Sequence, residues 1–147
     1  MSGIRRMTIG DYEQVYALWM GSSGMGLNNL DDSREGIARF LRRNPATCLV
    51  AEEGERVVGV ILAGNDGRRG YLYHTAVAPD CRHRGIGSAL VQAVLDALAA
   101  EGIHKAALVV FSRNRAGNAF WEAQGFTVRE DLTYRNRALA EMKRIDT

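Results

Sequence analysis

Cysteine is scarce in this sequence: Cys48 and Cys81 are the two in 147 residues. A pair of cysteines in a chain of this length does not make a disulfide framework, so both are read as free thiols of a reducing compartment. Cys48 lies in the apolar run TCLVAE and is expected in the interior, whereas Cys81 lies in a loop and is expected to be exposed. Long apolar runs are missing too. No stretch approaches the roughly 18 consecutive apolar residues of a membrane span. The N-terminal MSGIRRMTIGD has no apolar segment of signal-peptide length. A soluble, cytoplasmic protein is therefore expected. The net charge is +2, too small to indicate nucleic acid as a partner. There is no internal repeat, low-complexity tract or linker. What is left, with 46% hydrophobic and 24% charged residues, is the composition of a folded chain and the length of one domain, 1–147, able to bury a core without staples.

Hydrophobic spacing then orders the elements. IRRMT (4–8) reads as a short strand and GDYEQVYALWM (10–20) as a helix with Val15, Leu18 and Trp19 on one face. GSSGMGLNNLDDS (21–33) is a long loop, and Ser33 or Asp32 can cap the helix REGIARFLRR, where Ile37, Phe40 and Leu41 share a face and Asn44-Pro45 makes the stop. TCLVAEE and RVVGVILAG are strands joined by a tight turn at Glu53-Gly54-Glu55, and YLYHTAVA (71–78) is a third strand of this antiparallel run. Ile86, Leu90, Val94 and Ala97/Leu98 form a helical stripe that Gly102 ends. KAALVVF (105–111) reads as a buried strand, AGNAFWEAQ as a short helix closed by Gly125, and FTVRE and LTYRNRALAEM as further strands. The order is β-α-α-β-β-β-α-β-α-β-β. A strand, crossover helix and strand require local parallel pairing, so the expected fold is α/β with a mixed, mostly antiparallel sheet of six to seven strands flanked by four helices.

The segment Arg82-His83-Arg84-Gly85-Ile86-Gly87-Ser88 sits where a strand gives way to a helix. Two glycines there can be only a turn that needs positive φ. They also clear side chains from the first helical N–H groups, which with the helix dipole form an anion site. Arg82, His83 and Arg84 add positive charge on the approach. A Walker run GxxxxGK[ST] is absent, and Gly85-Ile86-Gly87-Ser88-Ala89-Leu90 lacks the third glycine of a dinucleotide fingerprint.

Arg82-x-x-Gly85-x-Gly87, preceded by HTAVAPD, resembles the acetyl-CoA-binding motif [QR]-x-x-G-x-[GA] of the GNAT (Gcn5-related) N-acetyltransferases. NRAGNAFWEAQGF (114–126) resembles that family's second signature, and the element order matches over nearly the whole chain. The resemblance implies acetyl transfer from a thioester to a primary amine of a small molecule or protein, by direct attack in a ternary complex. Acetyl-CoA is the implied cosubstrate, with no metal. It implies backbone contacts from Thr75, Ala76 and Val77 to the pantetheine arm, in a wedge between the 71–78 and 105–111 strands. It further implies that 83–88 (His83, Arg84, Gly85, Ile86, Gly87, Ser88) hold the pyrophosphate, with Arg82 and Arg84 as flanking charge. Asn114 either reaches the pantetheine or caps a helix.

The chain departs from the family in two respects. Trp121 stands where many members carry a tyrosine that protonates the leaving thiolate, and an indole N–H does not release a proton near neutral pH. A thiolate is a tolerable leaving group without that acid, since a free thiol titrates at roughly 8.5. Trp121 either packs on the pantetheine arm or is a core aromatic beside Phe120 and Phe126. The departure keeps open a non-catalytic acyl-CoA-sensing module of the same fold. The general base is the second departure. Val109 and Tyr71 occupy positions where ribosomal-protein and histone-type members carry glutamate. Tyr71, Tyr73, His74 and Tyr134 are the candidates that remain. Strict alternation puts Tyr71, Tyr73 and Thr75 on one face and Leu72, His74 and Ala76 on the other. Histidine is the side chain whose ordinary titration range suits a base.

For the acceptor, the 21–33 loop is expected to contribute. Met25 and Leu27 can cover an apolar part of a substrate, and Asp31, Asp32, Glu130 and Asp131 can attract a cationic amine, although acids at a helix start also simply complement its dipole. Arg39, Arg42 and Arg43 read as a solvated helix face, because no aromatic stacking platform interleaves with them. The resemblance also makes a homodimer plausible; nucleic-acid and membrane partners are not expected.

Overall fold

A computed structural model of the chain describes residues 3–146. Five strands, β1 (Gly3–Arg6), β2 (Cys48–Glu53), β3 (Arg56–Asn65), β4 (Gly70–Val77) and β5 (Ala106–Ala107), form one sheet in sequence order. The pairings β1–β2, β2–β3 and β3–β4 are antiparallel and β4–β5 is parallel. Four helices accompany them: α1 (Tyr12–Met20), α2 (Arg34–Arg43), α3 (Ile86–Ala100) and α4 (Arg115–Ala123). The α/β class, the mixed sheet and the helices follow the expected order.

The sheet separates two apolar clusters. On one side Leu49, Ala51, Ile61 and Leu72 pack with Ile86, Leu90, Val94 and Leu98 of α3. On the other Val50, Val60, Leu62 and Ala76 pack with Val15 and Trp19 of α1 and Ile37 and Leu41 of α2. The alternation of β2 and the helical period of α3 write this arrangement directly, and each fully buried aliphatic contributes about 1.5–3 kcal/mol. Ser33 caps α2, its hydroxyl accepting from the Gly36 N–H at 3.0 Å. Gly102 (φ +82°) and Gly125 (φ +91°) follow the ends of α3 and α4 in the left-handed region, where glycine carries no Cβ penalty.

Four expectations are corrected. Cys81 is buried like Cys48, both as free thiols, because the 3-10 turn Pro79–Cys81 folds it under α3. Leu27 does not cover a substrate: it is fully buried in the α1–α2 core. The strand expected at 105–111 pairs only at Ala106–Ala107, and the rest of it is not buried. FTVRE and LTYRNRALAEM form no regular strand, so the sheet has five strands among the described residues rather than six or seven. Their period-2 pattern is real, but it finds no surface to cover: Val128, Leu132, Tyr134 and Met142 are all exposed. The chain instead runs to an isolated bridge between Asn28 and Arg144. There the Asp146 carboxylate accepts from the backbone N–H groups of Met25, Gly26 and Leu27 at 2.6–3.2 Å. The two positive-φ glycines of that stretch, Gly24 and Gly26, shape it to converge on the carboxylate.

Candidate active site

β4 is held differently on its two sides. Along β3 it pairs from Asn65↔Gly70 to Gly59↔Val77, but along β5 only at Gly70↔Ala106 and Tyr71↔Ala107. Beyond Tyr71 the two strands part. A cleft of about 1830 Å³ enters between Tyr73–Val77 on one wall and Leu108–Phe111 on the other. Its floor leads to the start of α3.

The register of β4 shifts where Val60↔Ala76 is followed by Leu62↔Tyr73, so His74 and Thr75 together face the single residue Ile61. This β-bulge breaks the strict alternation expected from the sequence. Leu72 packs on the α3 side, yet Ala76 packs on the α1–α2 side. His74 and Tyr73 therefore both reach the α1–α2 side: the Tyr73 ring meets Phe40 of α2, and the His74 ring meets Trp19 of α1 at 5.1 Å, edge to face. His74 has φ +43°, a left-handed conformation that costs a non-glycine residue roughly 1–3 kcal/mol and persists only when its surroundings hold it. They do so from two directions. Trp19 Nε1 donates to the His74 carbonyl at 3.0 Å, and His74 Nε2 lies 2.7 Å from Asp32 Oδ1. Asp32 is not the α2 cap: its side chain is 4% exposed, Oδ2 accepts from the Asn28 N–H at 2.8 Å, and Tyr12 Oη donates to its carbonyl at 2.6 Å.

All four base candidates, Tyr71, Tyr73, His74 and Tyr134, line this one cleft. The Tyr71 and Tyr73 rings lie tilted at 48° to each other with centroids 4.8 Å apart. Burial, then the neighbouring Tyr134 and Tyr73 hydroxyls, push Tyr71 up to about 12; burial and Tyr134 also raise Tyr73. The Tyr71 and Tyr73 hydroxyls therefore keep their protons near neutral pH.

At the other end of the cleft Gly85 precedes α3 with φ +84°, and open space lies where its Cβ would be. The first hydrogen bond of the helix runs from Ala89 N to Gly85 O, so the N–H groups of Ile86, Gly87 and Ser88 precede it and are left for a ligand. Thr75, Ala76, Val77, Arg82, His83, Gly85, Ile86, Gly87 and Ser88 all line the cleft. Arg82 crosses its mouth, donating through Nε to the Val77 carbonyl at 3.1 Å. Arg84 departs from expectation: it does not line the cleft but turns to Glu53 in an exposed ion pair. Asn114 and Trp121 also line the cleft, and both show the packing alternatives weighed above. Asn114 Oδ1 caps α4 at Gly117 N, 2.9 Å away, and Trp121 sits edge-on between Phe120 and Phe126 at 5.0 and 5.3 Å. Val109 lines the opposite wall and is exposed.

At the α2 end, Asp31, Arg39 and Arg43 border the cleft, so the basic face of α2 is partly a cleft wall and not solely a solvated surface. Glu130 and Asp131 do not border it, and Asp131 is occupied by Arg129. Met25 is half-buried at the cleft edge. Sequence reasoning missed the Asp32–His74 pair. The two lie 42 positions apart, and no local spacing signals such a contact.

The sequence matches the Acetyltransferase (GNAT) family over residues 12–126. The chain belongs to the GNAT family. It is 34% identical over 131 residues to the acetyltransferase SG1711 of Sodalis glossinidius (strain morsitans), spanning 89% of this chain and 91% of that protein. Among solved structures, Ard1 from Thermoplasma volcanium superimposes with a TM-score of 0.78 at 24% identity, covering 87% of this chain and 84% of its own. The PaiA N-acetyltransferase from Thermoplasma acidophilum in complex with coenzyme A gives 0.78 at 20%, covering 88% and 92%. This GNAT protein is thus an acetyltransferase. Its sheet opens beside β4, and the Arg82-x-x-Gly85-x-Gly87 motif lies at the inner end of the opening.

Proposed function

We propose that this chain is a single-domain, cytoplasmic, acetyl-CoA-dependent N-acetyltransferase. It moves an acetyl group to a primary amine of a small molecule or protein by direct attack in a ternary complex. The observation that carries this reading is one continuous cleft, running from the bulge of β4 to the unbonded N–H groups at the start of α3. Its outer part is aromatic and hydroxyl-rich around Tyr71, Tyr73 and Tyr134 and suits an acceptor. Its inner part suits a pyrophosphate: Gly85 and Gly87 remove side chains, and Arg82 and His83 bring the basic approach. Bound there, the cosubstrate supplies a thioester carbonyl. The β4 backbone edge that β5 leaves unpaired, at Thr75 to Val77, would hold the pantetheine arm and polarise that carbonyl. Asn114 and Trp121 flank the same arm. With tryptophan in the tyrosine's place, the thiolate leaves without a dedicated acid and takes its proton from the amine or water.

Calorimetry with acetyl-CoA, ATP and NADH tests the reading, together with Gly85→Glu and Gly85→Ala. Both variants bear the same backbone strain at φ +84°, so the difference between them isolates the carboxylate placed in the anion site. Acetyl-CoA alone is expected to bind, with Gly85→Glu weakened by at least about tenfold relative to Gly85→Ala, or about 1.4 kcal/mol. Equal binding by the two variants would reduce the glycine motif to a turn. Binding without release of coenzyme A across a panel of amines would favour the sensing module.

A further inference from the structure

We propose that the imidazole of His74 takes the proton from the acceptor amine and that Asp32 is the residue that positions it; this rests on the acetyltransferase reading above. The bulge of β4 turns His74 to the acceptor side, next to the stretch of backbone, 75–77, that runs on along the cleft. Asp32 Oδ2 is occupied by the Asn28 N–H, which leaves Oδ1, at 2.7 Å, to accept from Nε2. A neutral imidazole that donates from Nε2 carries its lone pair on Nδ1. Among the described residues Nδ1 makes no hydrogen bond, and no side-chain nitrogen or oxygen cut off from solvent lacks a partner. Nδ1 is therefore open to solvent, and His74 is one of the residues that line the cleft. The strained backbone at φ +43°, tied by Trp19 Nε1, keeps the ring in this pose.

The step balances. The acceptor ammonium loses one proton to Nδ1, and its nitrogen lone pair forms the C–N bond at the thioester carbonyl. The C–S bond breaks with its electron pair on sulfur. The proton in excess on nitrogen passes to the thiolate, and the imidazolium returns its proton to water. Asp32 holds the tautomer and faces the imidazolium that forms.

The test compares wild type with His74→Ala, His74→Asn and Asp32→Asn, using any amine the wild type acetylates. Asparagine tolerates the left-handed region and keeps a donor toward Asp32, so His74→Asn guards against a folding failure. Both His74 variants are expected to lose about 100-fold in kcat while binding acetyl-CoA within twofold of wild type. Free imidazole in the buffer is expected to restore His74→Ala. In Asp32→Asn the amide oxygen keeps the Asn28 N–H and its NH2 group faces Nε2. The tautomer then inverts, which nitrogen-15 NMR of the ring reads directly, and kcat falls by a similar factor. The proposal is overturned if wild type binds acetyl-CoA and turns over while the His74 variants keep their kcat, or if imidazole restores nothing. A wild-type ring already protonated on Nδ1 overturns it as well. A wild type that neither binds nor turns over instead removes the underlying reading, and this proposal with it.

Discussion

The two sides of β4 teach what each kind of edge does in this protein. On the β3 side the strand is paired on both sides of the bulge, and both faces of the sheet are covered by helices. On the β5 side two residue pairs hold and the rest opens into the cleft. A paired edge leaves no backbone group for a ligand, whereas a parted one presents a row of them in a partly dry setting. Stability therefore belongs to the closed side and binding to the open side, and substitutions should separate the two.

The largest expected effect lies on the closed side. Leu90 is fully buried beneath the sheet, and Leu90→Ala is expected to cost about 3 kcal/mol in denaturant unfolding. Acetyl-CoA affinity per folded molecule should be little changed. At the far edge of the closed side, Arg5 grips Asp11 through two hydrogen bonds of 2.8 and 2.9 Å and Glu52 through two more of 2.9 and 3.4 Å. The Arg5 guanidinium, chiefly by hydrogen bonding, holds the Asp11 carboxyl below its ordinary 3.8. A carboxylate with a depressed folded-state pKa stabilises fully above its unfolded value and loses that contribution as pH falls through the folded one. Asp11→Asn should accordingly cost roughly 1–2 kcal/mol at neutral pH. Wild-type and variant stabilities should converge in urea melts run at pH values below the ordinary carboxylate range.

On the open side the signs reverse. A Cβ on Gly87 would come within 3.2 Å of the Phe120 ring, so Gly87→Val crowds both α4 and the anion site. Acetyl-CoA affinity is expected to fall about tenfold, with a stability change under about 1 kcal/mol. A matching loss of stability with intact affinity would erase the distinction between the two edges. The smallest effect belongs to the segment beyond the opening: Leu139 is 98% exposed, and Leu139→Ala should stay within about 0.5 kcal/mol of wild type. The Cys48 thiol supplies a direct readout of the closed side. Burial pushes it up to about 11, so it should react with a thiol reagent only on unfolding.

The elements that were legible in the sequence share one property: their signal is contained in a short window. The stripe Ile86, Leu90, Val94, Leu98 names the buried face of α3 because one period places those residues together. The β2–β3 hairpin, the Ser33 cap and the glycine at the start of α3 are likewise local statements. The cleft residues were legible by resemblance to a family pattern, with Arg84 the one that turned away. The face reached by His74 was not legible, since alternation predicts it only until a bulge inserts a residue. Cys81 was misread because its burial depends on the descent of α3 over a 3-10 turn.

By itself, the sequence determined the order of helices and strands through α4, the glycine-cleared helix start and the interior of the sheet. Hydrophobic period and backbone freedom are properties of neighbouring residues, and neighbouring residues are what a sequence displays. Only the tertiary structure decided that Asp32 meets His74, that Tyr71, Tyr73 and Tyr134 share its cleft, and that the alternating residues after Gly125 go uncovered. Each of these depends on which surface arrives from elsewhere in the chain. An alternating segment is only half of a strand until another edge supplies its hydrogen bonds and another face its cover.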